Sequence, residues 1–268
     1  RAMVDYRDGR GQAKFVVEGT SGVPFRIAAN AQLAPDLWRA SLTGKARGIA
    51  FETASPARIV PRRDGYEMLP TTLRAGSGTA RLSGVLDTGV AMQARLDGID
   101  IAVANAFLPG YGLGGRASGS LDFSQPGQTA FPQVQARLAI AGFTRTTAAS
   151  VSQPVDMTLS AGMSGAGGDV RAVFRRRGNL IGRLAATLGP PDTGGGASWS
   201  EALRGSALGG GIRYNGPAET LFSFAGQTDQ RVTGPIGLAA DFSCRVSDPC
   251  ITGILRGTGL AYENQRYG

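Results

Sequence analysis

Residues Val155–Leu188 read VDMTLSAGMSGAGGDVRAVFRRRGNLIGRLAATL. Val155, Met157, Leu159 and Ala161 fall at every second position, with Asp156, Thr158 and Ser160 between them. Val170, Ala172 and Phe174 repeat the pattern against Arg171 and Arg175. Leu180, Gly182, Leu184, Ala186 and Leu188 repeat it again, with Arg183 and Thr187 opposite. A period of two sends successive side chains to opposite sides of a strand, so each run predicts a strand with one apolar and one polar face. Between the runs stand Gly-Ala-Gly-Gly and Arg177-Gly178-Asn179, which is hairpin-turn chemistry. The stretch therefore predicts consecutive antiparallel strands, the last two joined as a tight hairpin.

Working outward, the same alternation recurs. Val134, Ala136, Leu138 and Ile140 share one face, and Leu238, Ala240, Phe242 and Val246 oppose Asp241, Ser243 and Arg245. Leu82–Val85, Asp87-Thr88-Gly89 and Val90–Leu96 read as a second hairpin. Such a meander, with turn residues every eight to twelve positions, predicts an all-β chain with more than half its residues in strands and fewer than one in ten in helix. It can roll into a sandwich or barrel, or stay open as a curved sheet. Two short helices are expected to interrupt it. Asp100 can cap Ile101–Phe107 ahead of Leu108-Pro109-Gly110, and Ser198-Trp199-Ser200-Glu201 is a capping box opening a helix that stops at Gly205. The linker-like stretch 189–197 (GPPDTGGGA) is a possible boundary. Strands of the same type resume after it, so the expectation is one architecture over residues 1–268.

The chain has 268 residues, 42% of them hydrophobic, and a net charge of +8. Its 41 glycines follow no strict triplet, which excludes collagen; between alternating runs they mark turns and strand bends. Lys14 and Lys45 are the only lysines, so the positive charge is nearly all arginine. A nucleic-acid binder would gather its basic residues on one face with aromatics between them. Here the arginines are scattered, often at alternate strand positions, and only Arg175, Arg176 and Arg177 form a tight run. That spread reads as the solvated face of half-buried strands, and no nucleic-acid partner is expected. No apolar stretch approaches the ~20 residues of a bilayer-spanning helix, and no signal-peptide pattern opens the chain. Arg1 is not a natural start and Gly268 follows a strand-like run directly, so the chain is expected to be a segment of a larger protein.

Catalytic chemistry finds little support. With no histidine, triads, metal sites and general bases built on imidazole are unavailable. Asp241, Asp248 and Glu263 are spread over strand faces and a turn, where solvation or capping accounts for them. Gly112-x-Gly-Gly and Gly209-Gly210-Gly211 neither follow a parallel strand nor open a long helix, as phosphate loops do. No enzyme activity and no cofactor or metal is expected.

Weak internal repetition points further. Leu113–Phe123 is a Gly-punctuated strand followed by Pro132-Gln-Val-Gln-Ala-Arg-Leu138, and Thr233–Phe242 is likewise followed by Asp248-Pro-Cys-Ile-Thr-Gly-Ile-Leu255. Ala104–Ile140 (ANAFLPGYGLGGRASGSLDFSQPGQTAFPQVQARLAI) joins a short helix ending near a proline, a Gly-x-x-x-Gly strand, and a proline opening the next strand. In this it resembles the repeating unit of the TamB-type translocation and assembly module family and its AsmA-like, bridge-like lipid-transfer relatives. Gly234–Phe242, Asp248-Pro249 and Leu260–Gly268 are similar to alphaproteobacterial members, as are Trp199 with Leu203 and Gly211–Pro217 just upstream. The resemblance covers Ile99–Gly268. Over the first hundred residues only alternation and glycine spacing agree.

The resemblance implies an elongated, curved, mostly antiparallel sheet forming a U-shaped groove. It also implies a periplasmic location, with an inner-membrane anchor outside this segment. The implied role is moving phospholipid to the outer membrane, or assembling proteins there, with an outer-membrane β-barrel partner of the TamA kind bound through other regions. Acyl chains require an apolar surface without directional contacts, which a strip of alternating residues supplies. The candidate groove residues are Val134, Leu138, Ile140, Val155, Met157, Leu159, Val170, Phe174, Leu180 and Leu184. Alternation alone fits a sealed β-core equally well. Cys244 and Cys250, separated by Arg245-Val-Ser-Asp-Pro249 with its turn chemistry, can face each other across a hairpin; in the oxidising compartment that the resemblance implies, a disulfide is expected. The rival reading is an adhesin-type β-solenoid with its apolar strip fully buried. An outer-membrane barrel would need aromatic girdles that a 7% aromatic content does not supply.

Overall fold

A computed structural model describes residues 1–20, 24–46, 48–106, 112–127, 130–146, 151–191, 198–225 and 230–264. The chain is all-β and antiparallel; among the described residues 74% lie in strands and two α-helices, both short, occur. It divides into two compact units, Arg1–Tyr111 with Arg116–Ala130, and Gly112–Gly115 with Phe131–Gly268. Of the stretch 189–197, residues 189–191 are described and belong to the second unit; the rest lies outside the described residues.

The first unit holds β1 (Ala2–Arg7), β2 (Arg10–Thr20), β3 (Pro24–Leu33), β4 (Trp38–Ala46), β5 (Ile49–Thr53), β6 (Ala57–Arg62), β7 (Gly65–Ala75), β8 (Gly78–Leu86) and β9 (Val90–Asp100), with most of β10 (Leu113–Gln125). Successive strands pair antiparallel. The exception is between β4 and β7, where β5 and β6 lie end to end. β4 pairs with β6 through Trp38–Ala40 and with β5 through Thr43–Ala46, and β7 pairs with both in turn. Asp87-Thr88-Gly89 forms the expected hairpin loop, with Leu86 opposite Val90 and the Gly89 N–H donating to Asp87 Oδ1 at 2.8 Å.

The second unit continues with β11 (Gln133–Arg145), β12 (Val155–Ser164), β13 (Gly167–Arg176), β14 (Asn179–Leu188), β15 (Leu208–Pro217), β17 (Pro235–Arg245) and β18 (Asp248–Gly257). Each pairs antiparallel with the next. The short strands β16 (Gln230–Thr233) and β19 (Ala261–Asn264) pair separately. The β13–β14 hairpin closes on two residues, not three, because Asn179 already pairs with Arg176. Arg177 and Gly178 both have positive φ, 51° and 81°. That geometry matches the right-handed twist of the flanking strands.

Helix α1 (Trp199–Gly205) begins and ends where the capping box places it. The Ser198 hydroxyl accepts the Glu201 N–H at 3.4 Å, and Glu201 Oε2 accepts the Ser198 N–H at 3.0 Å. The Ser198 backbone and hydroxyl hydrogen bonds hold the Glu201 carboxyl below its ordinary pKa. The stretch Ile101–Ala106 is a 3₁₀ turn, with Asp100 Oδ1 accepting the Ala102 N–H at 2.9 Å. Phe107 and Leu108-Pro109-Gly110 lie outside the described residues. Helix α2 (Ala218–Ala225) is additional to the two expected helices.

Cys244 and Cys250 are disulfide-bonded, with Cα atoms 5.5 Å apart. The register sets Cys250 opposite Ser243 and Cys244 opposite Pro249, so the bridge runs diagonally. The turn is Val246-Ser247, earlier than Ser247-Asp248-Pro249, because Asp248 already pairs with Arg245. Cys244 sits at φ 74°, in the left-handed region that non-glycine residues rarely occupy. Replacing both cysteines by serine is expected to lower the unfolding free energy by about 2 kcal/mol, given the short loop closed. Urea denaturation followed by circular dichroism measures this; an unchanged midpoint would show that the hairpin holds its register without the bond.

Candidate functional site

Residues directly opposite each other in a strand pair lie on the same face. In the second unit this puts Leu138, Leu159, Ala172, Leu184, Ile212, Ala240 and Gly253 in one row across the strands. The row beside it runs Ile140, Met157, Phe174, Gly182, Tyr214, Leu238 and Leu255. On the other side run Ala161, Val170 and Ala186, ending at Phe242 opposite Ile251. Val134 opposite Met163 continues the same face. The reverse face is polar. Arg137 opposes Ser160 and Ser160 opposes Arg171, while Arg213 donates to Asp241 Oδ1 at 2.7 Å.

Of the ten candidate groove residues, Val134, Leu138, Ile140, Val155, Met157, Leu159, Val170, Phe174 and Leu184 share this face. Leu180 does not. The register shifts between Phe174 and Arg175, so that Phe174 opposes Gly182 while Arg175 opposes Leu180. The extra residue in β14 is Ile181, a bulge that turns Leu180 to the arginine side, where it is 45% exposed. Ile181 is buried in its place. Strict alternation could not reveal this, since one inserted residue reverses the phase of everything before it.

One end of the face is covered. Val155, Ile181, Tyr214, Ala218 and Ile236 form a buried cluster, with Phe143, Phe174, Leu221, Phe222 and Phe224 packed on it. Helix α2 supplies Ala218 and the last three of these. Phe224 stacks on Phe143 with ring centroids 5.5 Å apart, and Arg145 Nη1 donates to the Phe224 carbonyl at 2.6 Å, satisfying an acceptor at the helix end. The Ala218 N–H donates to the Gly234 carbonyl at 2.8 Å. Val155 is therefore held in a packed cap and is not free to line an open groove. Leu138, Met157, Leu159, Val170 and Leu184 remain half-buried.

The first unit repeats the arrangement. Val4, Ala13, Ala31, Ala40 and Ala57 lie in register, as do Val17, Ile27, Gly44, Phe51 and Ala75. Farther along, Leu82, Ala94 and Leu121 oppose one another. Val4 is 65% exposed, Tyr6 54% and Phe15 42%. Among the described residues, eleven of the sixteen buried apolar residues are alanines. The large side chains beside them are thus only partly withdrawn from water, whereas a second layer packed on the sheet would bury them first.

Two contributors escaped the sequence reading. Strand β15 begins Leu208-Gly-Gly-Gly-Ile212, and its glycines hide the alternation. Gly210 is required there: at φ 128°, a Cβ would overlap the Ala185 carbonyl oxygen of β14. Helix α2 is rich in Leu and Phe, which also suit strands. Its signals were Pro217 immediately before it and Glu219 in its first turn. Asp241, one of the scattered carboxylates, is an ion-pair partner on the polar face.

Burial holds the Tyr214 phenol above its ordinary pKa, a shift that the Thr220 hydroxyl opposes. The unfolded chain then ionises first as the pH rises. Stability present below about pH 10 is lost above it. Tyr214→Phe is expected to flatten this alkaline loss, at the cost of the hydrogen bond to the Pro217 carbonyl at 2.7 Å. Urea midpoints measured from neutral to strongly alkaline pH decide it; equal slopes in the two proteins would place the titration elsewhere.

Comparison of the chain with protein-family models, with curated proteins and with solved structures gives no match in any of the three.

Proposed function

We propose that the apolar sheet face carries phospholipid acyl chains, in a segment of a periplasmic, inner-membrane-anchored envelope protein of the TamB kind. The observation behind this reading is the half-exposed state of the apolar face in each unit: outside the cluster under α2, every buried apolar residue among the described ones except Ile140 is an alanine. Monomeric soluble proteins rarely leave contiguous apolar surface of such extent uncovered. Acyl chains suit it because they ask for area and no polar partners. Transport toward the outer membrane, support of outer-membrane protein assembly, and a barrel partner of the TamA kind acting through other regions follow from the resemblance. The Cys244–Cys250 bond accords with an oxidising compartment. Against the solenoid alternative stands the pairing, which is antiparallel throughout the described registers, whereas β-helices stack parallel strands.

Native mass spectrometry of the purified chain should find co-purified phospholipid. Leu159 and Leu184 flank Ala172 in one row. Replacing both by arginine is expected to abolish lipid binding and transfer between vesicles while circular dichroism keeps its strand signature. Global unfolding would instead mean a sealed core, since an unpaired buried charge costs about 3–5 kcal/mol. Wild-type protein free of lipid and unable to bind it would end the proposal.

A further inference from the structure

The polar face of the first unit carries a second surface, separate from the apolar one. The register aligns Asp5, Gln12, Gln32, Arg39 and Arg58 in a row across β1, β2, β3, β4 and β6. Lys14, Asn30 and Ser41 lie opposite one another in the next row. A depression of about 600 Å³ runs from Arg7 and Arg10 to Gln32, and another of about 250 Å³ continues it to Arg39 and Ser41. Gln12, Lys14 and Gln32 line both, so the two form one shallow trough. Its lining spans β1 to β4, and four strands at ~4.8 Å spacing make it roughly 15 Å long, with Arg58 of β6 beside its end, opposite Arg39.

Its charge is one-sided. Arg7 and Arg10 stand directly opposite each other, as do Arg39 and Arg58. Like charges so placed destabilise a strand pair. Arg81 opposes Arg95 and Lys45 opposes Arg26 elsewhere on this face, but there a carboxylate intervenes: Asp122 pairs with Arg95 at 3.0 Å and Glu18 with Arg26 at 3.0 Å. In the trough, only Arg7 has such a partner, Asp5 at 3.7 Å. Among the described residues, no ion pair engages Arg10, Lys14, Arg39 or Arg58. Between the cations stand the amides Gln12, Asn30 and Gln32, whose paired donors and acceptors suit vicinal hydroxyls. Among the described residues no aromatic ring lines the trough, so nucleobases have nothing there to stack on.

We propose that this trough binds an extended anionic polysaccharide. Its carboxylates or phosphates neutralise Arg10, Lys14, Arg39 and Arg58, and its hydroxyls bond to Gln12, Asn30 and Gln32. The ligand relieves the two arginine–arginine oppositions, and a chain of sugars follows the row from strand to strand. The site is independent of the apolar face and of any lipid cargo.

Isothermal titration of the whole chain with polygalacturonate oligomers tests it, with neutral dextran as control. Binding is expected at about 50 mM salt, markedly weaker at about 200 mM, with none to dextran. Arg39→Ala and Arg58→Ala should each weaken binding about tenfold, and Gln12→Leu and Gln32→Leu each about fivefold. Arg39, Arg58, Gln12 and Gln32 are all exposed, so these variants should keep the wild-type circular dichroism spectrum. Absence of polygalacturonate binding would overturn the proposal. So would amide variants that bind like wild type, which would reduce the trough to a diffuse positive field. Equal affinity for single-stranded DNA or phosphatidylglycerol vesicles, insensitive to the amide changes, would overturn it in favour of those partners.

Discussion

Parity between neighbouring strands is the constraint on which the rest of this structure depends. In a paired strand every second residue shares a face, and a slip of one position would exchange each apolar side chain for the polar one beside it. In the second unit parity is kept from β11 through β18, so that Leu138 and Ala240, far apart in sequence, belong to one row. Parity also sorts the charges. All the arginine–carboxylate pairs named above lie on the polar face, where water screens them and each contributes little by itself. Such pairs oppose slippage more than they stabilise the sheet, because a slipped strand would push arginine onto the apolar side.

Irregularities occur where this rule meets another demand. The bulge at Ile181 reverses parity at the start of β14, and in doing so delivers a large side chain to the cluster under α2. A second shift, between Ile140 and Phe143 in β11, brings Phe143 opposite Val155 and under Phe224. Both serve the one end of the face that is closed. Where no helix covers the sheet, in the middle of β12 and β13, the registers run without interruption.

Much of this was legible in the sequence. Alternation located β11 to β14 and β17, turn residues located two hairpins, and a capping box located α1 at both its ends. What could not be read were the departures from period two. A bulge leaves no mark in a pattern of apolar and polar letters, so alternation alone puts Leu180 on the wrong face. Strand β15 was obscured because Gly210 has to be small for its backbone to approach β14. Helix α2 was hidden because Leu221, Phe222 and Phe224 satisfy strand and helix alike. The trough on the polar face was invisible for a different reason: its arginines are scattered in sequence and meet only when five strands are laid side by side.

The alanines buried between larger neighbours have a consequence for how such a chain can change over time. A face that needs only to be apolar and half-open does not require a leucine rather than an isoleucine, methionine or valine at most of its positions. Volume-conserving exchanges there cost little. The small residues have no such freedom: a larger side chain at Ala172, between Leu159 and Leu184, would have to displace both. Substitutions should therefore accumulate quickly at the large positions and slowly at the small ones. The durable signature of the sheet is then a lattice of alanines and glycines in cross-strand register, and two descendants of one ancestor could keep it while sharing few other letters.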